Sequence, residues 1–256
     1  MILTVDIGNS NIVLGGVERD DIIFEARLRT DLTKTSDECC IDLKMILEVY
    51  EIKALEIEGA IIGSVVPQVL NSMQTAIKKL TGKTALVVGP GLKTGLNIKI
   101  ENPAQTGADL VVGCVAALRE HKPPMIVVDM GTATTMVVLD ASGALVGGSI
   151  APGVKISMDA LTERTALLPG LQLDTPKRAI GRNTVDCMRS GIMLGAACQI
   201  DGMVERMEAE LGMKTTVVVT GGIARFVIPM CKTTVVYDKD LLVKGLAHLY
   251  RENVRT

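Results

Sequence analysis

Residues 3–17 read LTVDIGNSNIVLGGV and residues 126–140 read IVVDMGTATTMVVLD. Each stretch is an apolar run, an Asp-x-Gly, a small polar turn and a second apolar run. Laid together without a gap, they set Asp6 on Asp129, Gly8 on Gly131, Asn9 on Thr132 and Asn11 on Thr134, an offset of 123 residues. That offset is close to half of the 256-residue chain, too long for a solenoid period, and predicts two similar domains. Each copy reads as two strands joined by a hairpin turn. Glycine in the turn permits a tight bend and close approach of a ligand to the backbone. Backbone N–H groups with Asn and Thr side chains suit phosphate oxygens. An Asp at a strand end suits a metal, a water or a proton. One such hairpin would read as an ordinary turn with a polar tip; two at half-length spacing point to a polyphosphate held from both sides of a cleft.

Outward from these stretches, strands and helices alternate, which makes the fold class α/β. Ile22–Arg29 continues the first meander. Thr35-x-x-Glu38 has the form of a capping box and opens a helix that runs to Tyr50. A strand over Gly59–Ser64, a helix over Pro67–Leu80 and a strand over Thr84–Val88 follow, then a helix from Pro103 to Arg119. His121-Lys-Pro-Pro124 interrupts the pattern and divides the chain into residues 1–121 and 122–256. Beyond it come strands near 125–130, 134–140 and 145–150, a helix over 154–168 and a long helix over 184–211. Strands at 215–220 and 233–237 flank Gly221-Gly222, and a helix over 239–252 follows.

Composition excludes several functions. Hydrophobic residues make up 48% of the chain, yet there are two Phe, three Tyr and no Trp, so the core is aliphatic and stacking platforms for single-stranded nucleic acid are missing. Acidic residues number 29 and basic residues 27, with no basic run, which argues against a nucleic-acid partner. Two histidines, His121 and His248, cannot build a multi-His metal centre. Six cysteines without a C-x-x-C spacing read as thiols of a cytosolic protein. The longest apolar stretch, Leu110 to Leu118, is nine residues, against roughly 20 for a membrane-spanning helix. The first residues lack the basic region of a signal peptide. The expectation is a soluble cytoplasmic protein without a membrane partner.

Three further stretches carry chemistry. Val217-Val-Val-Thr-Gly-Gly222 ends a strand in paired glycines, with room for a flat ligand or a phosphate, or simply a strand-to-helix turn. Gly107-Ala-Asp109 opens a helix, where a carboxylate is either favoured by the helix dipole or placed as a general base for a hydroxyl. Gly181-Arg-Asn-Thr184 is a helix entry whose Thr184 or Asn183 caps the helix or reaches a ligand.

In order, DIGNSN (6–11), KTGL (93–96), ENP (101–103), GAD (107–109), VDMGTA (128–133), GGSIAPG (147–153), TALLP (165–169), GRNT (181–184), MRSG (188–191) and TGG (220–222) resemble the motif series of the type III pantothenate kinases over nearly the full length. The paired turns look like the phosphate loops of the acetate kinase, sugar kinase, Hsc70 and actin superfamily. This resemblance implies duplicated ribonuclease H-like (actin-like) domains with a central cleft. It also implies transfer of phosphate from ATP to pantothenate, giving 4'-phosphopantothenate, the first step of coenzyme A synthesis.

By the same resemblance, Asp6, Ile7, Gly8, Asn9, Ser10, Asn11, Ile12 and Val13 bind ATP phosphates, with Asp6 at Mg²⁺ and Thr132 on ATP. Asp109 is the base, and Asp129 holds a monovalent cation, K⁺ or NH₄⁺. Ile100, Gly107, Ala108, Asp109, Leu110 and Thr184 line the pantothenate site of a homodimer. Leu110 stands where the family has Arg, and Ile100 where it has Tyr. These two departures leave open a kinase with a changed or weakened acceptor, with Lys99, Arg164 or Arg182 as substitutes, or a non-catalytic nucleotide-binding relative.

Overall fold

The computed structural model describes residues 1–254. The first quoted stretch forms β1 (Ile2–Ile7) and β2 (Asn11–Glu18), and β3 (Asp21–Arg29) continues the meander. Alternation makes Leu3, Val5 and Ile7 one apolar face. That face is covered by α1 (Ser36–Val49), through Cys39, Leu43 and Leu47, and by α2 (Pro67–Thr81), through Val69, Met73, Ala76 and Ile77. Thr35 and Glu38 close the expected capping box. β4 (Gly59–Ser64) lies parallel to β1, and the two-residue β5 (Leu86–Val87) lies parallel to β4. The resulting sheet order is β3-β2-β1-β4-β5.

The second quoted stretch repeats this plan with β6 (Met125–Met130), β7 (Ala133–Leu139), β8 (Leu145–Pro152), β9 (Thr216–Thr220) and β10 (Val236–Tyr237), in the order β8-β7-β6-β9-β10. Both sheets pair two antiparallel and two parallel neighbours in the same sequence. Both carry a register shift at one equivalent place, Gly16/Val17 in the first and Val138/Leu139 in the second.

The pairing corrects the gapless comparison. Ile7 pairs with Ile12, leaving residues 8–11 as the turn, whereas Met130 pairs with Thr134, leaving only 131–133. Gly8 N–H donates to the Asn11 carbonyl and Gly131 N–H to the Ala133 carbonyl, each at 3.0 Å. Thr30 N–H donates to the Ser10 carbonyl at 3.0 Å, and Gly153 N–H to the Thr132 carbonyl at 3.2 Å. Thr132 is therefore the counterpart of Ser10, not of Asn9, and Ala133 that of Asn11. The second turn is one residue shorter.

Helices depart from expectation where the backbone turns extended. The helix expected from Pro103 is a single 3-10 turn, Pro103–Gln105, and α3 (Ala108–Glu120) begins afresh beyond the extended Thr106. α4 (Val154–Arg164) stops short of 168 because Thr165 is extended. The expected 184–211 helix is α5 (Thr184–Arg189), a five-residue π-helical stretch at Ser190–Leu194, and α6 (Gly195–Leu211). The short α7 (Ala224–Val227) follows β9, and α8 (Leu241–Val254) follows β10. Ile192, Met193, Ala197, Ile200 and Val204 pack on Ile126, Val128, Val217 and Val219 in the second core. No described helix is long and apolar enough to cross a membrane.

The chain does not divide at one point near residue 121. Met1–Leu96, Asn102–Ala116 and the segment from Asp240 onward form one compact unit; Asn97–Glu101 and Ala117–Lys239 form another. Apolar burial explains the return of α8: Val243 and Ala247 pack on Val17, on the face of the first sheet that α1 and α2 do not cover. Asn97–Glu101 joins the second unit through the Leu145 N–H to the Asn97 carbonyl and the Lys99 N–H to the Leu145 carbonyl, both 2.8 Å.

α8 meets α3 at Gly245, where a Cβ would lie 2.6 Å from the Val112 carbonyl oxygen and 3.1 Å from the Ala116 Cβ. Gly→Ala inside a helix ordinarily stabilises by about 0.5–1 kcal/mol. Here the added methyl forces the two helices apart, so Gly245→Ala is expected to destabilise the protein by about 1–3 kcal/mol in thermal unfolding. A melting temperature at or above the parent's contradicts this packing.

Candidate active site

In the first unit, three features converge on the carboxyl ends of the parallel strands β1 and β4, where ligands bind in α/β sheets. Asp6 is the penultimate residue of β1 and is half-buried. Its neighbour on β4 is Gly63, where a Cβ would lie 3.8 Å from Asp6 Oδ1 and 3.9 Å from Val112 Cγ2 of α3. Leu246 of α8 comes closer still, 3.3 Å from that Cβ, so Asp6, α3 and α8 all approach this one glycine. Val112 is one helical turn beyond Asp109, and Gly107, just before the helix, approaches Val65 at the end of β4. Asp6, the Gly8–Asn11 turn and the start of α3 thus gather at one end of one sheet.

Asp109 sits in the first turn of α3. Its Oδ1 accepts the Leu110 N–H at 2.9 Å. Burial pushes its carboxyl above the usual carboxylate range, against the backbone N–H groups of Leu110 and of Asp109 itself, which favour the charged form. A carboxylate whose proton affinity is raised by desolvation at a helix start is suited to accept a proton.

Within the turn, Asn9, Ser10 and Asn11 are exposed, whereas Ile7 and Ile12 are core residues, 0% and 3% exposed. Ile7 and Ile12 offer a ligand only their backbone; Val13 is half-buried on β2. Thr30 was not legible as part of this site. Its hydroxyl donates to the Gly8 carbonyl at 2.6 Å and its N–H to the Ser10 carbonyl. Only the length of β3, which returns the chain to the turn, brings it there.

The second unit carries the companion turn. Asp129 is penultimate in β6, and Gly131 and Thr132 are half-buried beside it. Two glycines allow the chain to close around this turn. A Cβ at Gly153 would lie 2.3 Å from the Thr132 carbonyl oxygen, and one at Gly221, whose φ is +99°, would lie 2.6 Å from the Met130 backbone. Ile100 belongs to this unit, whereas Gly107, Ala108, Asp109 and Leu110 belong to the first. Thr184 is the exposed first residue of α5; the cap is Asn183, whose Oδ1 accepts the Asp186 N–H at 2.9 Å. Lys99 is engaged with Asp140 at 3.1 Å.

The donor set fits magnesium with a nucleotide. Mg²⁺ is commonly held by one or two carboxylates, substrate phosphates and water. Asp6, half-buried at the carboxyl end of β1, would be such a carboxylate, and among the described residues no three acidic, His or Cys side chains gather into an all-protein cage.

Two meanders of identical strand order, each with an Asp-x-Gly turn at the carboxyl end of its central strand, are a fold shared with solved structures of distant sequence. The activator of 2-hydroxyisocaproyl-CoA dehydratase from Clostridium difficile, solved with bound ADPNP, shares the fold with a TM-score of 0.60 at 12% identity, covering 99% of this chain and 96% of that one. The type III pantothenate kinase profile matches residues 2–206. The type III pantothenate kinase of Halalkalibacterium halodurans is 41% identical over 254 residues, covering 99% of this chain and all of that protein. That of Moorella thermoacetica is 42% identical over 253 residues, again covering 99% of this chain and all of that protein. The chain belongs to the type III pantothenate kinase family. The readings opened by Leu110 and Ile100, an altered acceptor or a non-catalytic relative, gain no support from these relatives.

Burial of Asp109 has a cost that is visible in stability. The folded protein holds the Asp109 proton to higher pH than the unfolded chain does. The stability conferred by the protonated form is present below the unfolded pKa and is lost as pH rises through the folded value. Asp109→Asn carries no charge, so its melting temperature is expected to exceed the parent's at neutral pH, with the gap closing as pH falls toward the ordinary value of 3.8. A variant less stable than the parent at neutral pH contradicts a desolvated carboxylate.

Proposed function

We propose that the protein transfers the γ-phosphoryl group of ATP to the hydroxyl of pantothenate, giving ADP and 4'-phosphopantothenate, the first step of coenzyme A synthesis. Full-length identity of about 40% to proteins of that name carries the reaction. The approach of Asp6, and of Val112 one helical turn beyond Asp109, to Gly63 supports the roles of Asp6 and Asp109.

In this reading the Gly8–Asn11 turn and the shorter turn at Thr132 hold phosphate oxygens through N–H groups and small polar side chains. Asp6 would hold magnesium, which would neutralise charge on the phosphates. Asp109 orients the pantothenate hydroxyl and takes its proton as the oxygen bonds to phosphorus and the bond to ADP breaks. No covalent phosphoenzyme is needed. Gly107, Ala108, Leu110, Ile100 and Thr184 line the acceptor site, and Asp129 holds a monovalent cation, K⁺ or NH₄⁺.

We assign the working form as a cytoplasmic homodimer. Exposed apolar side chains on consecutive elements of the second unit support a self-association face: Ile150 on β8, Ile156 and Leu161 on α4, then Leu167 and Ile180.

The test is a coupled assay of ADP release with pantothenate, run with and without K⁺. Pantothenate-dependent ADP release that K⁺ stimulates is expected. Asp109→Asn is expected to lower kcat about 10²- to 10⁴-fold, the usual contribution of a general base. ADP release indifferent to pantothenate overturns the acceptor, and an unchanged kcat in Asp109→Asn overturns the base.

A further inference from the structure

We infer that Thr30 is a positioning residue for the nucleotide phosphates, acting through the Gly8–Asn11 turn. The inference rests on the reading of that turn as a phosphate site. A turn accepts an anion only when its N–H groups, and not its carbonyls, face the ligand. A glycine peptide rotates easily, because glycine tolerates nearly all backbone angles, so the orientation of the peptides around Gly8 has to be fixed from outside.

Thr30 fixes two of them. Its hydroxyl donates to the Gly8 carbonyl at 2.6 Å, and its N–H donates to the Ser10 carbonyl at 3.0 Å. In a planar trans peptide the C=O and the following N–H point in opposite directions. Holding the Gly8 carbonyl toward Thr30 therefore turns the Asn9 N–H away from it, and holding the Ser10 carbonyl does the same for the Asn11 N–H. Of the turn's four carbonyls a third, that of Asn11, accepts the Gly8 N–H at 3.0 Å. With these three oxygens bonded inside the unit, none is turned toward an anionic phosphate.

The duplicated unit shows that the hydroxyl is an addition to the shared plan. Its equivalent of Thr30 is Gly153, whose N–H donates to the Thr132 carbonyl at 3.2 Å and which has no side chain to offer. A Cβ there would lie 2.6 Å from the Gly131 carbonyl oxygen, so the shorter turn leaves no room for one. The longer turn, with one more peptide to orient, is the one that carries the side-chain tie.

The test is calorimetric titration of the intact protein with a magnesium-bound, non-hydrolysable ATP analogue. Thr30→Val and Thr30→Ala, which lack the hydroxyl, are expected to raise Kd about 5- to 10-fold, the net worth of one hydrogen bond. Thr30→Ser keeps the hydroxyl and stays within about twofold on the same scale. In turnover the KM for ATP rises by the same factor while the KM for pantothenate holds. A purely structural threonine would lower the melting temperature and the fraction of active protein while the folded fraction kept its Kd, and that result overturns the inference. So does a Thr30→Ser as weak as Thr30→Val. A parent protein that binds the analogue but leaves pantothenate unphosphorylated overturns the acceptor alone, since the Thr30 comparison is read on binding. A parent that does not bind the analogue overturns both.

Discussion

In both halves of the chain the central hairpin closes through one backbone bond. A glycine N–H at the start of the turn donates to the carbonyl at its end, Gly8 to Asn11 and Gly131 to Ala133, each at 3.0 Å. That bond folds the chain back while the strands before it run parallel to β4 and β9, so an aspartate two residues upstream of the glycine arrives at the carboxyl edge of each sheet. Asp6 and Asp129 owe their placement to this register. A one-residue slip would send each carboxylate to the opposite face of its sheet. Much of the surrounding packing serves that register: alternating apolar residues seat β1 on α1 and α2, and β6 on α6.

The site combines this fixed edge with a strained electrostatic choice. Asp109 is buried enough to raise its proton affinity, yet the first turn of α3 supplies N–H groups that favour its charged form. The two tendencies oppose one another, and desolvation is the larger, so the carboxyl has a raised proton affinity, as the proposed role of general base asks. α3 is held by close contact with α8 at Gly245, so a residue more than a hundred positions away in sequence secures the helix that carries Asp109.

What the sequence showed and what it hid follow from range. The repeated Asp-x-Gly stretches, the strand meanders and the α1 capping box are local patterns of two to four residues, and they were legible as written. Distant returns were not. The recruitment of α8 to the first sheet and of Asn97–Glu101 to the second depends on which apolar face or open strand edge lies nearby, and no local periodicity records that. The one-residue difference between the turns was hidden because both are runs of small polar residues, which any gapless comparison accepts; hydrogen-bond partners distinguish Ser10 from Asn9 as the counterpart of Thr132. Thr30 followed the end of a strand like any polar residue, and only the register of β3 on β2, with Arg29 opposite Asn11, puts it at the turn.

Our proposal is that each of the two turns, though unequal in length, takes part in nucleotide binding. Amide hydrogen exchange resolved by residue, with and without a magnesium-bound ATP analogue, addresses it most directly. The account predicts that amides of residues 8–11 and of residues 131–133 both gain protection when the nucleotide is present. Protection confined to one turn, or to neither, would contradict it.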